Sequence, residues 1–287
     1  MLVAENWKDY ELIDTGDGEK LERWGKYLLR RPDPQVIWPH NTSHELWEKA
    51  DAHYHRSHLG GGDWEYRKDL PERWTVSYKN LKFYVKTMGF KHTGIFPEQA
   101  VNWDFMMGKI KKAKRPINVL NLFAYTGAAS VACAAAGASV CHIDASKGMT
   151  RVAKENLELS GLGDKPVRFI ADDVIKFVKR EERRGRKYEA IIMDPPSYGR
   201  GPSGETWKFE KNLYELLELC LPILAEKPLF FIVNSYTTGF SPTVIENMLR
   251  LTIGKKYKGT LSCGDLGLPV SSSGLTLPCG IFARWEE

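Results

Sequence analysis

The stretch that decides the fold is Asn118 to Asp144, NVLNLFAYTGAASVACAAAGASVCHID. Its apolar run Val119 to Phe123 has the character of a strand buried on both faces. A tight turn follows through Tyr125-Thr126-Gly127, then a small-residue helix from Ala128 to Ala136 stopped by Gly137. A second apolar run, Ala138 to Ile143, ends on Asp144. Strand, glycine turn, helix, strand and acid make a βαβ unit of the kind that holds an adenosine-bearing ligand at the carboxyl ends of its strands. Gly127 permits the sharp turn and is expected to leave room for a ligand beside it. Asp144 can accept both hydroxyls of a ribose. A βαβ unit with only a structural role shares these features, and one glycine is fewer than a dinucleotide fingerprint uses.

The remaining 260 or so residues narrow the choice. A chain of 287 residues suits one large domain, or a main domain with a smaller one attached. No run approaches the ~18 apolar residues that span a bilayer, and the start, MLVAENWKDYE, has neither the basic flank nor the apolar core of a signal peptide. Five cysteines, an odd number without CxxC spacing, read as reduced thiols in a cytoplasmic protein. The net charge of +5 gathers in two clusters, Lys109, Lys111, Lys112, Lys114, Arg115 and Lys179, Arg180, Arg183, Arg184, Arg186, Lys187. Such clusters can hold phosphates, although most are solvated helix ends.

Residues 1–92 read as a small β-rich domain carrying Trp7, Trp24, Trp38, Trp47, Trp64 and Trp74. Strands are expected at 10–14 and 20–24 across the glycine turn 15–18, then at 25–30, 36–38, 73–76 and 83–86, with a polar loop over about 39–71. That loop holds His40, His44, His53, His55 and His58, and Gly60-Gly61-Gly62 marks it as mobile. The histidine spacings match neither a zinc-finger pair nor HExxH, so no metal is expected.

Residues 93–287 read as a second domain, reached through the hinge at His92 to Gln99 and a helix from about Glu98 to Lys112. Strands and helices then alternate, which sets the fold class as α/β. Helices are expected at 147–159, 174–184, 213–224 and 243–251. Strands are expected at 167–170, 190–193 and 229–233, closing on Asp172-Asp173, Asp194-Pro195-Pro196 and Asn234-Ser235. A final antiparallel pair, 257–263 and 275–285, completes a mostly parallel, Rossmann-like sheet. Polar groups at successive strand ends line the edge where open α/β sheets bind ligands. Asp173 is placed to accept from an adenine amino group, with the Val174 N–H facing a ring nitrogen, while Asp172 suits a helix cap.

GIFPEQ at 94–99, NLFAYTGAAS at 121–130, HIDAS at 142–146, ADDVIKFV at 171–178 and IIMDPPSYGRG at 191–201 stand in an order and spacing that resembles the class I S-adenosylmethionine-dependent methyltransferases. More narrowly the chain is similar to the bacterial 23S ribosomal RNA methyltransferases of the RlmI and RlmK type. The likeness covers about residues 80–287 and does not extend over the first 75. It implies S-adenosylmethionine as cofactor and RNA, ribosomal in particular, as partner. The turn Phe123, Ala124, Tyr125, Thr126 and Gly127 would hold the methionine end. Asp144 and Ala145 would take the ribose, Asp173 and Val174 the adenine, and Phe96, Gln99 and Asp194 the rest of the pocket. Asp194, Pro195, Pro196 and Tyr198 would face the target base.

Methyl transfer from a sulfonium is an in-line displacement, so alignment supplies most of the catalysis. The lone pair of a base amino group is delocalised into its ring. Hydrogen bonds from that group to the Asp194 carboxylate and the Pro195 carbonyl would help to free it, with Tyr198 offering a face on which the flipped base stacks. Members that methylate cytosine carbon 5 need a cysteine nucleophile after the fifth strand. This chain has Ser235 there, which favours nitrogen methylation. The insert Gly199 to Lys208 reads as a glycine-rich mobile segment, either one in which Arg200 and Lys208 meet phosphate and Trp207 stacks on a base, or a lid that only encloses the cofactor. The alternatives are a methyltransferase for a protein or small molecule, and a cofactor-binding module without catalysis in an RNA-bound assembly.

Overall fold

A computed structural model describes residues 1–57, 61–89 and 91–287. The expected mobile triplet's Gly60, and His58 among the five histidines, lie outside the described residues. The chain forms two compact units: residues 1–101 with 266–279, and residues 102–265 with 280–287. The division proposed above, 1–92 and 93–287, is contiguous, whereas these units are not.

In the first unit a five-stranded sheet runs in the order Tyr10–Gly16, Glu19–Trp24, Tyr27–Pro32, Ala52–Arg56, Gly62–Tyr66. The hairpin Trp74–Tyr78 and Leu81–Val85 is separate from it. The segment expected as a polar loop over 39–71 holds a short helix, His44–Glu48, and two of these strands. Their alternate positions are polar, which hid them in a reading for apolar runs. Residues 36–38, expected as a strand, pair with none; Trp38 instead accepts the Asp17 N–H on its carbonyl at 2.7 Å. The return segment 266–279 joins this unit because Ser271 and Ser272 donate their N–H groups to Leu12 and Ile13. The Ser272 hydroxyl adds a bond to the buried Asp14 carboxylate at 2.7 Å.

The core of this unit is partly ionic. Arg31 grips the fully buried Glu22 with Nε and Nη2 at 2.6 and 2.7 Å, and the Tyr10 hydroxyl donates to Glu22 at 2.8 Å. Burial pushes the Glu22 carboxyl up, but the charges of Arg31 and Lys20 and these hydrogen bonds outweigh it and hold the group at about 2. Breaking such a pair from one side leaves the other charge buried without compensation.

In the second unit the parallel strands lie in the order Val167–Ala171, Ser139–Asp144, Asn118–Leu122, Ala190–Met193, Phe230–Ser235. Thr276–Glu286 then runs antiparallel to Phe230–Ser235 from Ile281 to Glu286, with Thr260–Pro269 beyond it. This is the expected mostly parallel sheet with an antiparallel C-terminal end. Helices fall near their expected places, with Phe209–Cys220 starting four residues before the expected Leu213. Phe209 is itself a core residue, packed with Leu213, Leu216 and Leu217. The strand order reverses between Asn118–Leu122 and Ala190–Met193, which pair with Leu122 beside Met193. The residues just beyond that pair therefore face the switch-point crevice. Among the described residues no helix is long and apolar enough to cross a membrane.

Glu22→Gln should cost about 3–5 kcal/mol of stability at neutral pH, since Arg31 would remain buried without its counter-ion. Urea unfolding of the two proteins checks this, and a change within experimental error would show that the pair is not a structural support.

Candidate active site

The turn after Asn118–Leu122 is built from left-handed backbone. Phe123 and Tyr125 have φ of 55° and 50°, and Gly127, which caps the helix Ala128–Ala135, has φ 82°. These two non-glycine departures flank Ala124, and one acid holds the second of them. The Tyr125 N–H donates to Asp144 Oδ2 and the Ser146 N–H to Asp144 Oδ1, each at 2.8 Å. Burial raises the Asp144 carboxyl above its ordinary range, and the two N–H donors pull it partly back. Each oxygen accepts one backbone bond and has a second lone pair for a ligand hydroxyl. Ala145, half-buried, lies between Asp144 and Ser146.

Gly127 makes the expected sharp turn, but the room beside it differs from the expectation. A Cβ there would lie 2.6 Å from the Ala153 Cβ and 3.2 Å from its Cα. The space is taken by the helix Lys147–Leu159 and not by a ligand. Thr126, just before Gly127 in the turn, is buried, and its carbonyl accepts from Asn156 Nδ2 at 2.9 Å.

Asp173 is the N-cap of Val174–Arg183, with Oδ1 accepting the Lys176 N–H at 2.9 Å. The cap assigned above to Asp172 thus belongs to Asp173. Asp172 accepts the Asp173 N–H at 2.8 Å and pairs with Arg180. The capping bond occupies one oxygen of Asp173, and Val174 stands at the first helical position, where an N–H has no partner within the helix.

Asp194 follows Met193 across the switch point from Phe123, half-buried, with its N–H on the Leu122 carbonyl at 3.4 Å. Pro195 is buried and Pro196 exposed. The loop is pinned at three points. Trp207 Nε1 donates to the Pro196 carbonyl at 2.7 Å, the Phe209 N–H to the Ser197 carbonyl at 3.0 Å, and Ser197 Oγ meets Thr237 Oγ1 at 2.8 Å.

The insert is a hairpin rather than a mobile glycine segment. Tyr198–Arg200 pairs with Thr206–Lys208, Gly199 opposite Trp207. Alternation puts Tyr198, Arg200, Thr206 and Lys208 on one exposed face. Trp207 points the other way, buried, with its ring 4.7 Å from that of Phe123. It is a core pin, so the expectation that it stacks on a base is corrected. Arg200 Nε donates to the Tyr198 hydroxyl at 3.3 Å, and this bond and the guanidinium charge lower the phenol from its ordinary value. Lys208 caps the helix Phe209–Cys220, its N–H on Asn212 at 2.8 Å.

Ser235 is buried, and its Oγ accepts the Thr237 N–H at 3.1 Å, so it is a turn residue rather than a surface for substrate. Its neighbour Asn234 accepts from Asn102 at 2.9 Å, and Asn102 accepts from Arg284. The Arg284 guanidinium lies 4.5 Å from the rings of both Phe105 and Phe282. Phe96 and Gln99 belong to the first unit, at the 3₁₀ turn Pro97–Gln99, where the Gln99 N–H donates to the Phe96 carbonyl at 3.1 Å. The structure thus brings the turn, Asp144 and Asp194 together around the reversed strand order.

The sequence reading missed a buried polar chain behind the turn. Asn121 Nδ2 donates to Ser130 Oγ at 3.0 Å, and Ser130 Oγ meets His142 Nδ1 at 3.0 Å. Burial pushes the His142 imidazole down to about 3. The available signal was three polar residues inside otherwise apolar runs. Among the cysteines, Cys133, Cys141 and Cys220 are buried. Burial and the Glu246 carboxylate, 2.9 Å away, raise Cys263 to about 11, and burial raises Cys279 well above its ordinary value.

The donor and acceptor set suits an adenosine-bearing cofactor. Asp144 and the remaining oxygen of Asp173 offer acceptors, and the start of the helix Val174–Arg183 offers backbone donors. The family model of the S-adenosylmethionine-dependent methyltransferases matches residues 50–247, and the chain belongs to that family. It is 38% identical to an S-adenosylmethionine-dependent methyltransferase from Agrobacterium tumefaciens, whose crystal structure superimposes with a TM-score of 0.94 over 99% of this chain and 92% of that one. Over 146 residues, half of this chain, it is 37% identical to ribosomal RNA large subunit methyltransferase K/L of Shewanella frigidimarina and 32% identical to ribosomal RNA large subunit methyltransferase I of an Enterobacter species. The matches span 20% and 33% of those two relatives' lengths.

A native His142 that stays neutral down to about pH 3, against an unfolded value near 6.5, means that only the unfolded chain takes up this proton as pH falls. Its folded pKa is depressed, so stability should fall by about 1.4 kcal/mol per pH unit from this group between those values. His142→Asn should remove that part of the slope. Urea unfolding at pH 7, 6, 5 and 4 measures it, and parallel curves for the two proteins would refute the assignment.

Proposed function

We propose that this protein transfers a methyl group to a base nitrogen in RNA, with ribosomal RNA as the substrate and the cytoplasm as its location. The observation that carries the proposal is the Asp194-Pro195-Pro196 loop at the switch point, pinned by the Trp207 bond to the Pro196 carbonyl. S-adenosylmethionine supplies an electrophilic methyl group on a sulfonium. Everything else the reaction needs is position and polarity.

In this reading Asp144 holds the ribose, Asp173 and Val174 hold the adenine, and the turn from Phe123 to Gly127 encloses the methionine end. The Asp194 carboxylate and the Pro195 carbonyl accept hydrogen bonds from the target amino group, which restores nucleophilic character to its nitrogen. Tyr198 stacks on the base, and Arg200 and Lys208, exposed on the same hairpin face, pair with phosphate. Trp207 and Ser235 serve this site from the core without touching substrate.

Nitrogen chemistry is favoured over cytosine carbon 5 because the latter requires a thiolate. The last residue of the fifth parallel strand is Ser235, with its oxygen in a turn bond. Cys263 and Cys279 are both shifted away from the thiolate form. The ribosomal substrate rests on the names of the Shewanella and Enterobacter relatives.

Incubation with labelled S-adenosylmethionine and large-subunit RNA from cells lacking the gene, followed by nucleoside mass spectrometry, tests the proposal. An N-methylated base is expected; label in 5-methylcytosine, or none in RNA, would overturn it. Asp144→Ala should weaken cofactor affinity at least tenfold, about 1.4 kcal/mol. Asp194→Ala should leave that affinity within about threefold while lowering turnover by about two orders of magnitude or more. Calorimetry and single-turnover transfer separate the two effects.

A further inference from the structure

The strands Ala52–Arg56 and Gly62–Tyr66 pair with His53 opposite Glu65 and His55 opposite Asp63. Residues two apart on a strand share a face. His53, His55, Asp63 and Glu65 therefore lie on one side of the pair. Tyr54 and Trp64 lie on the other, their rings in edge contact at 5.4 Å. The two imidazoles are 3.9 Å apart between centroids. A neutral imidazole offers one nitrogen lone pair as a ligand. One ligand atom each from His53, His55 and Glu65 lies within 4.8 Å of the others. His55 Nε2 is already 2.6 Å from Glu65 Oε2, and His53 Nε2 is 2.7 Å from Glu19 Oε1.

We propose that His53, His55 and Glu65 bind a divalent transition-metal ion of the zinc type, with the Glu19 carboxylate beside His53 completing the polar surround. Zinc takes imidazole nitrogen and carboxylate oxygen at about 2.0–2.2 Å, which sets tetrahedral ligand atoms roughly 3.4 Å apart. The three ligand atoms, now within 4.8 Å of one another, would draw in to that spacing around the ion. Calcium and magnesium are excluded by the same set, since they take oxygen ligands.

The surrounding charges sharpen the choice of metal. Arg30 pairs with Glu19, and Arg67 Nε stands 3.8 Å from Glu65 Oε1. The face therefore has no large excess of negative charge. An ion held there must be held by directed coordination to nitrogen, where zinc and its neighbours in the series outbind the alkaline earths. The site lies in the first unit, whereas Asp144 and Asp194 lie in the second. The metal would staple two adjacent strands of a β-rich sheet, a structural role in which binding energy becomes folding energy.

The full chain, stripped with a chelator and dialysed, is titrated with zinc chloride by calorimetry and followed by thermal unfolding. One saturable equivalent is expected, with a rise in the unfolding midpoint. His55 and Glu65 are exposed, so His55→Ala and Glu65→Gln should fold normally by far-ultraviolet circular dichroism. Each should lose at least tenfold in zinc affinity and most of the midpoint shift. Cobalt substitution should give visible bands in the parent protein that both variants lack. Equal zinc affinity in all three proteins, no saturable binding, or calcium binding as tight as zinc would overturn the proposal.

Discussion

The Asp144 carboxylate is the interaction on which the second unit's crevice depends. One oxygen holds the Tyr125 N–H and the other the Ser146 N–H. It thereby ties the turn after one parallel strand to the loop after its neighbour. That turn carries two non-glycine residues at positive φ, a conformation costing roughly 1–2 kcal/mol per residue when nothing compensates. A water-exposed acid could not secure it as well, because the bonds would compete with solvent. The partial burial of Asp144 makes those bonds strong and raises its own pKa, so further donors are favourable there. In the proposed function the ribose hydroxyls are those donors.

A second constraint is spatial. Close contact between Gly127 and Ala153 lets Lys147–Leu159 lie directly against the start of Ala128–Ala135. His142, Ser130 and Asn121 fill the remaining space with hydrogen-bonded polar groups. The strand opposite is stiffened differently. Trp207 sits in the core, takes the Pro196 carbonyl on its indole N–H, and lies against Phe123. One side chain thus couples the turn on one side of the switch point to the proline loop on the other. The hairpin that carries Trp207 inward displays Tyr198, Arg200 and Lys208 outward.

Much of this was legible in the sequence because buried parallel strands are continuous apolar runs. The runs 119–123, 138–143 and 190–193 carry that pattern, and the last two close on the acids Asp144 and Asp194. Features that depend on a partner distant in sequence were not legible. Nothing near Gly127 announces Ala153, and nothing near Asp172 and Asp173 says which one caps the helix. Trp207 among glycines and charges resembled an exposed platform; only pairing with Gly199 shows that it points inward. His53, His55 and Glu65 stayed invisible as a group for the same reason. Their proximity comes from strand register, which the spacing within either strand does not encode.

The end of the fifth parallel strand bears on the proposed chemistry. Ser235 is committed to a turn, and Asn234 to the chain through Asn102 to the buried Arg284. Arg284 lies between two phenylalanine rings and is lowered by burial to about 10, so its charge there is costly and its contact with Asn102 matters. A covalent nucleophile must approach and retreat from its substrate, which a residue built into such a post cannot do. A hydrogen-bond acceptor works best when it does not move. The rigid strand end beside a pinned Asp194-Pro195-Pro196 loop is therefore suited to fixed polar guidance of an attacking nitrogen, and poorly suited to covalent activation of a carbon.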